Sequence, residues 1–292
     1  MRASALSSMR RRRLAPGFGA GIALALVGLG RREALAGDTF EIQVYDGTAD
    51  APGLPGLELH LNDWATGHHD AIPPERPLHG QFHATLEPSL GLTPFWEIGA
   101  YLQGAVRTDD GVVDWAGAKL RSKFVTPPGF DAHWRLGVNL ELALLPDTYD
   151  RDRWGVELRP IAAWHSAEWL FAVNPILDQP LGSDASQGPS LEPAVKASRT
   201  VGPVALGFEY YATLGQVGDV LPPRDEEHYL FEAIDWASEG PLELNAAVGE
   251  GLTPASAGVV FKMILGYTFG EPAPSATPAA SLASNLPWRR RP

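Results

Sequence analysis

The stretch V-V-F-K-M-I-L-G-Y-T-F, Val259 to Phe269, decides the fold class. Val259, Phe261, Met263, Leu265, Tyr267 and Phe269 are apolar at strict period two, with Lys262 and Thr268 among the alternating residues. In a strand this alternation sends successive side chains to opposite faces, so one face suits hydrocarbon and the other a polar interior. That is the pattern of a membrane-spanning β-barrel strand. After the leader, no segment approaches the ~20 uninterrupted apolar residues of a spanning helix, so a membrane would be crossed by strands.

Phe261, Met263, Leu265, Tyr267 and Phe269 also read as a barrel-closing signal of the kind that bacterial barrel-assembly machinery recognises. Most such chains stop at the final aromatic. Here residues 270–292 follow, a tail rich in Pro, Ala and Ser that composition predicts to be disordered.

At the other end, Arg10 to Arg13 form a cationic region, Leu14 to Gly30 an apolar one, and Ala34-Leu35-Ala36 a small-residue cleavage site before Gly37. Residues 1–36 are therefore expected to be a cleaved signal peptide for general secretion, since the twin-arginine route carries folded cargo. The leader holds seven Arg against one Glu, so the mature chain is more acidic than the whole-chain charge of −12. Such acidity argues against nucleic acid as a partner. The absence of cysteine excludes disulfides, thiolate nucleophiles and Cys-based metal sites.

Beyond Phe40 to Tyr45, a short alternating strand, and a Gly/Pro/Asp loop, twelve strands are expected between residues 56 and 269. They are Gly56–Asp63, Gly80–Leu90, Phe95–Thr108, Val112–Thr126, His133–Pro146, Arg153–His165, Trp169–Asp178, Ser190–Thr200, Val204–Leu214, Glu227–Trp236, Pro241–Gly249 and Gly258–Phe269. Tight connections alternate with long ones, as periplasmic turns do with outer loops, and both barrel ends then fall on the periplasmic side. Residues 37–55 are read as a periplasmic or plug-like segment, with a further barrel strand at Phe40–Tyr45 as the alternative. Trp96, Trp134, Trp164, Trp169 and Trp236 fall beside the short turns, and Trp64, Trp115 and Trp154 beside the loops, where headgroup girdles belong.

The lipid face runs through Trp96, Ile98 and Leu102; Leu120 and Phe124; Leu136, Leu140 and Leu142; Phe171 and Val173; and Leu206, Phe208 and Tyr210. The opposite parity carries the expected lumen lining. Its acidic and neutral members are Glu58, His60, His83, Glu87, Glu97, Glu141, Glu157, Glu192, Glu209, Tyr211 and Glu243. Its basic members are Arg107, Lys119, Arg121, Lys123, Arg135, Arg159, Lys196 and Lys262. Pro88, Pro160, Pro175 and Pro193 lie inside strands and lack a ladder donor, so bulges or breaks are expected there. The face of Glu232 is ambiguous, because placing it inside also places Trp236 inside.

Val44-Tyr45-Asp46-Gly47, Pro55 to Asn62, Leu120 to Gly129, His133 to Leu142, Asp150 to Ile161, Val173 to Asp178, Gly207 to Tyr211 and Leu242 to Pro254 resemble an uncharacterised proteobacterial outer-membrane β-barrel family. That family is similar to the putative phenol-degradation MetA-type transporter family. The resemblance implies an outer-membrane barrel with a transport role, and no catalytic residues come with it.

Lys119, Arg121 and Lys123 are the most specific feature, three cations at period two aimed at one interior. They read either as a basic ladder for anionic solutes or as counter-charges to Glu97 and Glu141 that hold the lumen shut. His60 and His83, near Glu58, form either a proton-sensitive or metal site or ordinary lumen filling. His68-His69-Asp70 is a solvated loop sooner than a metal centre, and no nucleophile stands clearly beside His228, Glu226 and Glu227 at the outer rim.

The reading is an all-β closed antiparallel transmembrane barrel in the bacterial outer membrane, a narrow channel for small polar or aromatic solutes. It is not expected to be an enzyme, and it calls for no cofactor or metal. Lipid and lipopolysaccharide are the expected surroundings. The alternatives are a closed structural or interaction barrel filled by ion pairs, a barrel lipid hydrolase, and a soluble antiparallel sandwich in the periplasm.

Overall fold

The computed structural model describes residues 38–71, 73–107, 111–182, 188–237 and 241–270. The expected signal peptide, 1–36, and all of the tail beyond Gly270 lie outside them.

Twelve strands make the wall: β1 (Pro55–Trp64), β2 (Gln81–Thr93), β3 (Trp96–Arg107), β4 (Val113–Val125), β5 (Trp134–Leu144), β6 (Trp154–His165), β7 (Trp169–Pro180), β8 (Ser190–Val201), β9 (Val204–Thr213), β12 (Glu227–Ala237), β13 (Leu242–Gly251) and β14 (Val259–Thr268). Two-residue strands β10 (Gly215–Gln216) and β11 (Asp219–Val220) form a small ladder in the loop after β9, which reaches back to Ser190 of β8. Each wall strand pairs antiparallel with its neighbours, and β14 returns to β1, with Leu57 opposite Tyr267 and Asn62 opposite Lys262. The sheet is thus a closed barrel whose last strand carries the stretch from which the reading began.

The face assignment follows from the pleat. Phe261, Tyr267, Leu120, Leu140, Phe171 and Phe208 are exposed on the outer wall, while Lys262, Arg121, Glu141 and Glu209 are buried inside. On β4 the alternation changes phase at Gly117 (φ +121°), opposite the register shift at Gln103/Gly104 of β3. Trp115 and Lys119 share sequence parity yet face opposite ways, because one extra residue at a bulge turns the strand over. Glycine is required there, as an added Cβ would lie 2.6 Å from the Leu144 carbonyl oxygen at a dihedral that L side chains rarely adopt.

Of the bulges or breaks expected at the in-strand prolines, the structure shows breaks: the ladder lapses between Leu86 and Ser89 and between Leu158 and Ala162, then resumes in register, with no register shift at Pro88, Pro160, Pro175 or Pro193. A missing N–H costs a rung without moving the chain when the proline ring points outward, and the preceding Glu87, Arg159 and Asn174 are buried inward. Trp64 is not a girdle residue: it is 3% exposed and packs inward against Tyr229. Glu232 faces outward midway along β12, between Phe208 and Val248, because Tyr229, Phe231 and Ala233 take the inner face.

Phe40 to Tyr45, expected as a short alternating strand within a periplasmic or plug-like segment, forms no strand. Residues 38–51 run as an extended chain through the barrel interior, touching side chains from seven wall strands. Inward alanines leave the space. Phe40 packs on Ala105 and Ala116, Ile42 on Phe231, Ala247 and Val260, and Val44 on Ala163, Ala172 and Ala194.

Candidate functional site

The site is the lumen with this segment in it. An extended chain without a strand partner leaves its carbonyls and N–H groups unpaired, and burial makes each a cost unless a partner is found. Here the wall side chains supply the partners. Asn174 brackets Tyr45, accepting from its N–H at 2.7 Å and donating to its carbonyl at 3.0 Å. Lys262 donates to the Ile42 carbonyl at 2.8 Å, Arg159 to the Gln43 carbonyl at 3.2 Å, and Asn62 to the Thr39 and Phe40 carbonyls at 3.1 and 3.0 Å. His165 Nε2 lies 2.9 Å from the Asp46 carbonyl oxygen. At the turn below, Gly47 (φ +79°) sits so close to β5 that an added Cβ would stand 2.6 Å from the Arg135 Cβ.

Charge contacts continue the pattern. Lys119 binds Asp38 of the segment at 2.5 Å and Glu141 of β5 at 3.2 Å. Arg159 chelates Glu157 through Nε at 2.7 Å and Nη2 at 3.1 Å, and reaches Glu41 of the segment at 3.2 Å. The Tyr45 ring lies between the Arg159 guanidinium, 4.6 Å from its centroid, and Lys123 at 5.1 Å, while its hydroxyl meets that of Tyr101 at 2.7 Å. Near the short-turn end, the Asp50 N–H donates to Glu97 at 2.5 Å and Ser89 donates to the Asp50 carboxylate at 2.6 Å. Burial pushes the Asp50 carboxyl up to about 6, and the Glu97 charge adds to the rise; the Ser89 hydrogen bond and Lys123 oppose it. Asp38, by contrast, is held low: burial raises it, but Lys119 outweighs the burial.

Other cations are satisfied by the wall. Arg121 contacts Glu87 and Glu97, each at 2.6 Å, and Lys123 contacts Glu97 at 3.0 Å. Lys196 contacts Glu209 at 3.0 Å and Asp235 at 2.8 Å, and Lys262 shares Glu209. Asn245 donates to Asp235 at 2.7 Å, and Tyr211 donates to Glu209 at 2.7 Å. Ser190 donates to Glu192 at 2.5 Å. Arg107, Arg135, Glu192, Tyr211 and Glu243 are half-buried nearer the barrel ends. Two members of the site were missed in the sequence, Tyr101 and Asp235. Asn174 follows the inward parity of β7 and precedes Pro175, so its face was legible but its partner was not.

His60 and His83 do not come together. The His83 ring stacks on Phe40 at 3.9 Å, with Nδ1 3.1 Å from the Thr39 carbonyl oxygen, whereas His60 faces Glu58 and Glu87. His68, His69 and Asp70 do not converge either: His68 lies 2.7 Å from the Ala255 carbonyl oxygen, and the His69 ring meets that of His79 at a tilt of 37°. At the long-loop end His228 lies between the Tyr210 hydroxyl (2.5 Å) and Glu226 (2.8 Å), while Ser256 meets its backbone and not its ring.

The closed twelve-stranded wall, apolar outside and charged within, places the chain among outer-membrane β-barrels. No protein-family model matches it, and no curated protein does. Among solved structures, the KdgM porin aligns over 74% of this chain and 99% of its own at 8% identity, with a TM-score of 0.50. The NanC porin aligns over 73% and 98% at 7% identity with a TM-score of 0.48. Outer-membrane phospholipase A of Escherichia coli aligns over 76% and 98% at 11% identity with a TM-score of 0.39. At such identities the similarity to KdgM establishes the fold.

Proposed function

We propose that this barrel is a channel for small polar or aromatic solutes that rests closed, with residues 38–51 as its plug. The observation that carries the reading is how the segment is held. Lys119, Arg159 and Lys262 bind the segment's own carboxylates and carbonyls, so the groups that would line a conducting path are occupied by a displaceable strip of chain. The strip leads into β1, and its apolar side chains rest on small inward residues.

A closed barrel with a structural or interaction role is the second reading. It is favoured by Arg121, Lys123 and Lys196, whose wall partners would remain after the segment left. Planar-bilayer conductance of the refolded chain and of a variant with Asp38→Asn and Glu41→Gln separates the two. The channel reading expects more frequent openings in the variant, with an anion preference that falls when Lys119, Arg121 and Lys123 are neutralised. A silent bilayer from both proteins, with heat-modifiable folding shown on the same samples, leaves the structural reading.

A further inference from the structure

Glu58 and His60 lie two residues apart on the inner face of β1, and Glu87 of β2 stands directly opposite Glu58. Their side chains meet beside a small cavity toward the short-turn end, lined also by Gln43, Arg121 and Glu243. His60 Nε2 is 2.9 Å from Glu87 Oε2 and 3.4 Å from Glu58 Oε2. One ring nitrogen carries at most one proton, yet two carboxylate oxygens are turned to it. Three donor atoms thus share one hydrogen, an arrangement that a cation serves better than a proton.

The spacing fits. A metal bound at about 2.0–2.2 Å from each of three ligands holds adjacent donor atoms roughly 3.0–3.5 Å apart. The two nitrogen–oxygen separations are within 0.1 Å of that interval, and all three donor atoms lie within 4.8 Å of one another. An outer partner that orients a ligand is already present, since Arg121 holds the second oxygen of Glu87 at 2.6 Å, while Gln43 donates at 3.3 Å to the same Glu58 oxygen that faces His60. Charge points the same way, since the cavity lining carries more carboxylates than cations, the latter being Arg121 and Lys123.

We infer that Glu58, His60 and Glu87 form a binding site for one divalent transition-metal ion, with the cavity leaving further positions for water. One imidazole and two carboxylates suit zinc, cobalt, manganese or ferrous ions better than calcium, whose sites are built from oxygen alone. The site does not depend on whether the barrel conducts.

The test uses the refolded, tag-free full-length chain in detergent, with Co(II) as an optical probe and Zn(II) in equilibrium dialysis. One equivalent should bind, with Co(II) visible absorption that Zn(II) displaces. His60→Gln should weaken it at least about a hundredfold, since it removes the sole nitrogen ligand. Glu58→Gln, at a half-buried position on the cavity side, is the second variant and should weaken binding while heat-modifiable folding persists. A variant with His68, His69 and His79 all changed to Ala should bind as the parent does, because those rings lie on an outer loop. Absence of stoichiometric binding, or binding that survives His60→Gln and vanishes in the loop variant, overturns the assignment.

Discussion

Replacing Asn174 by Leu should loosen the N-terminal segment without opening the wall. The amide of Asn174 is wholly buried and makes two hydrogen bonds to Tyr45, at 2.7 and 3.0 Å. The substitution leaves one backbone N–H and one carbonyl enclosed without partners, at about 1–3 kcal/mol each, so docking should weaken by roughly 2–6 kcal/mol in all. At about 1.4 kcal/mol per tenfold change, that is roughly 30-fold to 10⁴-fold in the docked-to-undocked ratio. Tyr45 also keeps its hydroxyl contact with Tyr101 and its place over Arg159, so the lower half of the range is expected. Hydrogen exchange with mass spectrometry reads the effect directly. A peptide covering residues 40–50 should exchange at least about 30-fold faster than in the parent, while peptides from β7 and β8 keep their protection. Unchanged exchange in that peptide, with the same substitution verified and the barrel folded, would refute the claim that Asn174 clamps the segment.

Asp50→Asn should flatten a pH dependence. A carboxyl whose pKa rises from 3.8 to about 6 on docking favours the docked state at low pH, and that preference is lost as pH rises through about 6. Docking should therefore be tighter at pH 5 than at pH 7.5, by about 1.4 kcal/mol, and hydrogen exchange of the same peptide measures it. The groups facing Asp50 are Glu97, Ser89, Lys123 and Glu58, so the variant is needed to isolate its share. Gly47→Ala should displace the turn from Arg135, visible as new protease sensitivity near Asp46 while the barrel still shows heat-modifiable migration. Glu232→Leu should stabilise the folded barrel in lipid vesicles by about 1–3 kcal/mol, because it removes a charge from the hydrocarbon face; a lower denaturant midpoint would contradict that orientation.

The strands were legible because period-two alternation is a local property, and in a lipid-facing wall it is enforced at nearly every position. Val259 to Thr268 illustrates this: Phe261 and Tyr267 outward, Lys262 inward, with each side chain's medium written in its own type. Glu232 was ambiguous for the same reason. Its charge argues for the lumen, but the bulk of Tyr229 and Phe231 on the opposite parity outweighed it. The lumen lining was readable as a set of residues, whereas its pairings were not, since Lys196 of β8 reaches past β9 to Asp235 of β12.

By itself, then, the sequence determined a twelve-stranded barrel, its two faces and the polarity of its interior, because alternation and turn length act through neighbouring residues. Only the tertiary structure decided what fills that interior. Phe40 to Tyr45 alternates like a strand, but with the ring closed by β14 on β1 no edge remains to accept it. Its backbone groups instead found Asn174, Arg159 and Lys262, side chains more than a hundred positions away, and a contact set by barrel closure leaves no periodic trace in the chain.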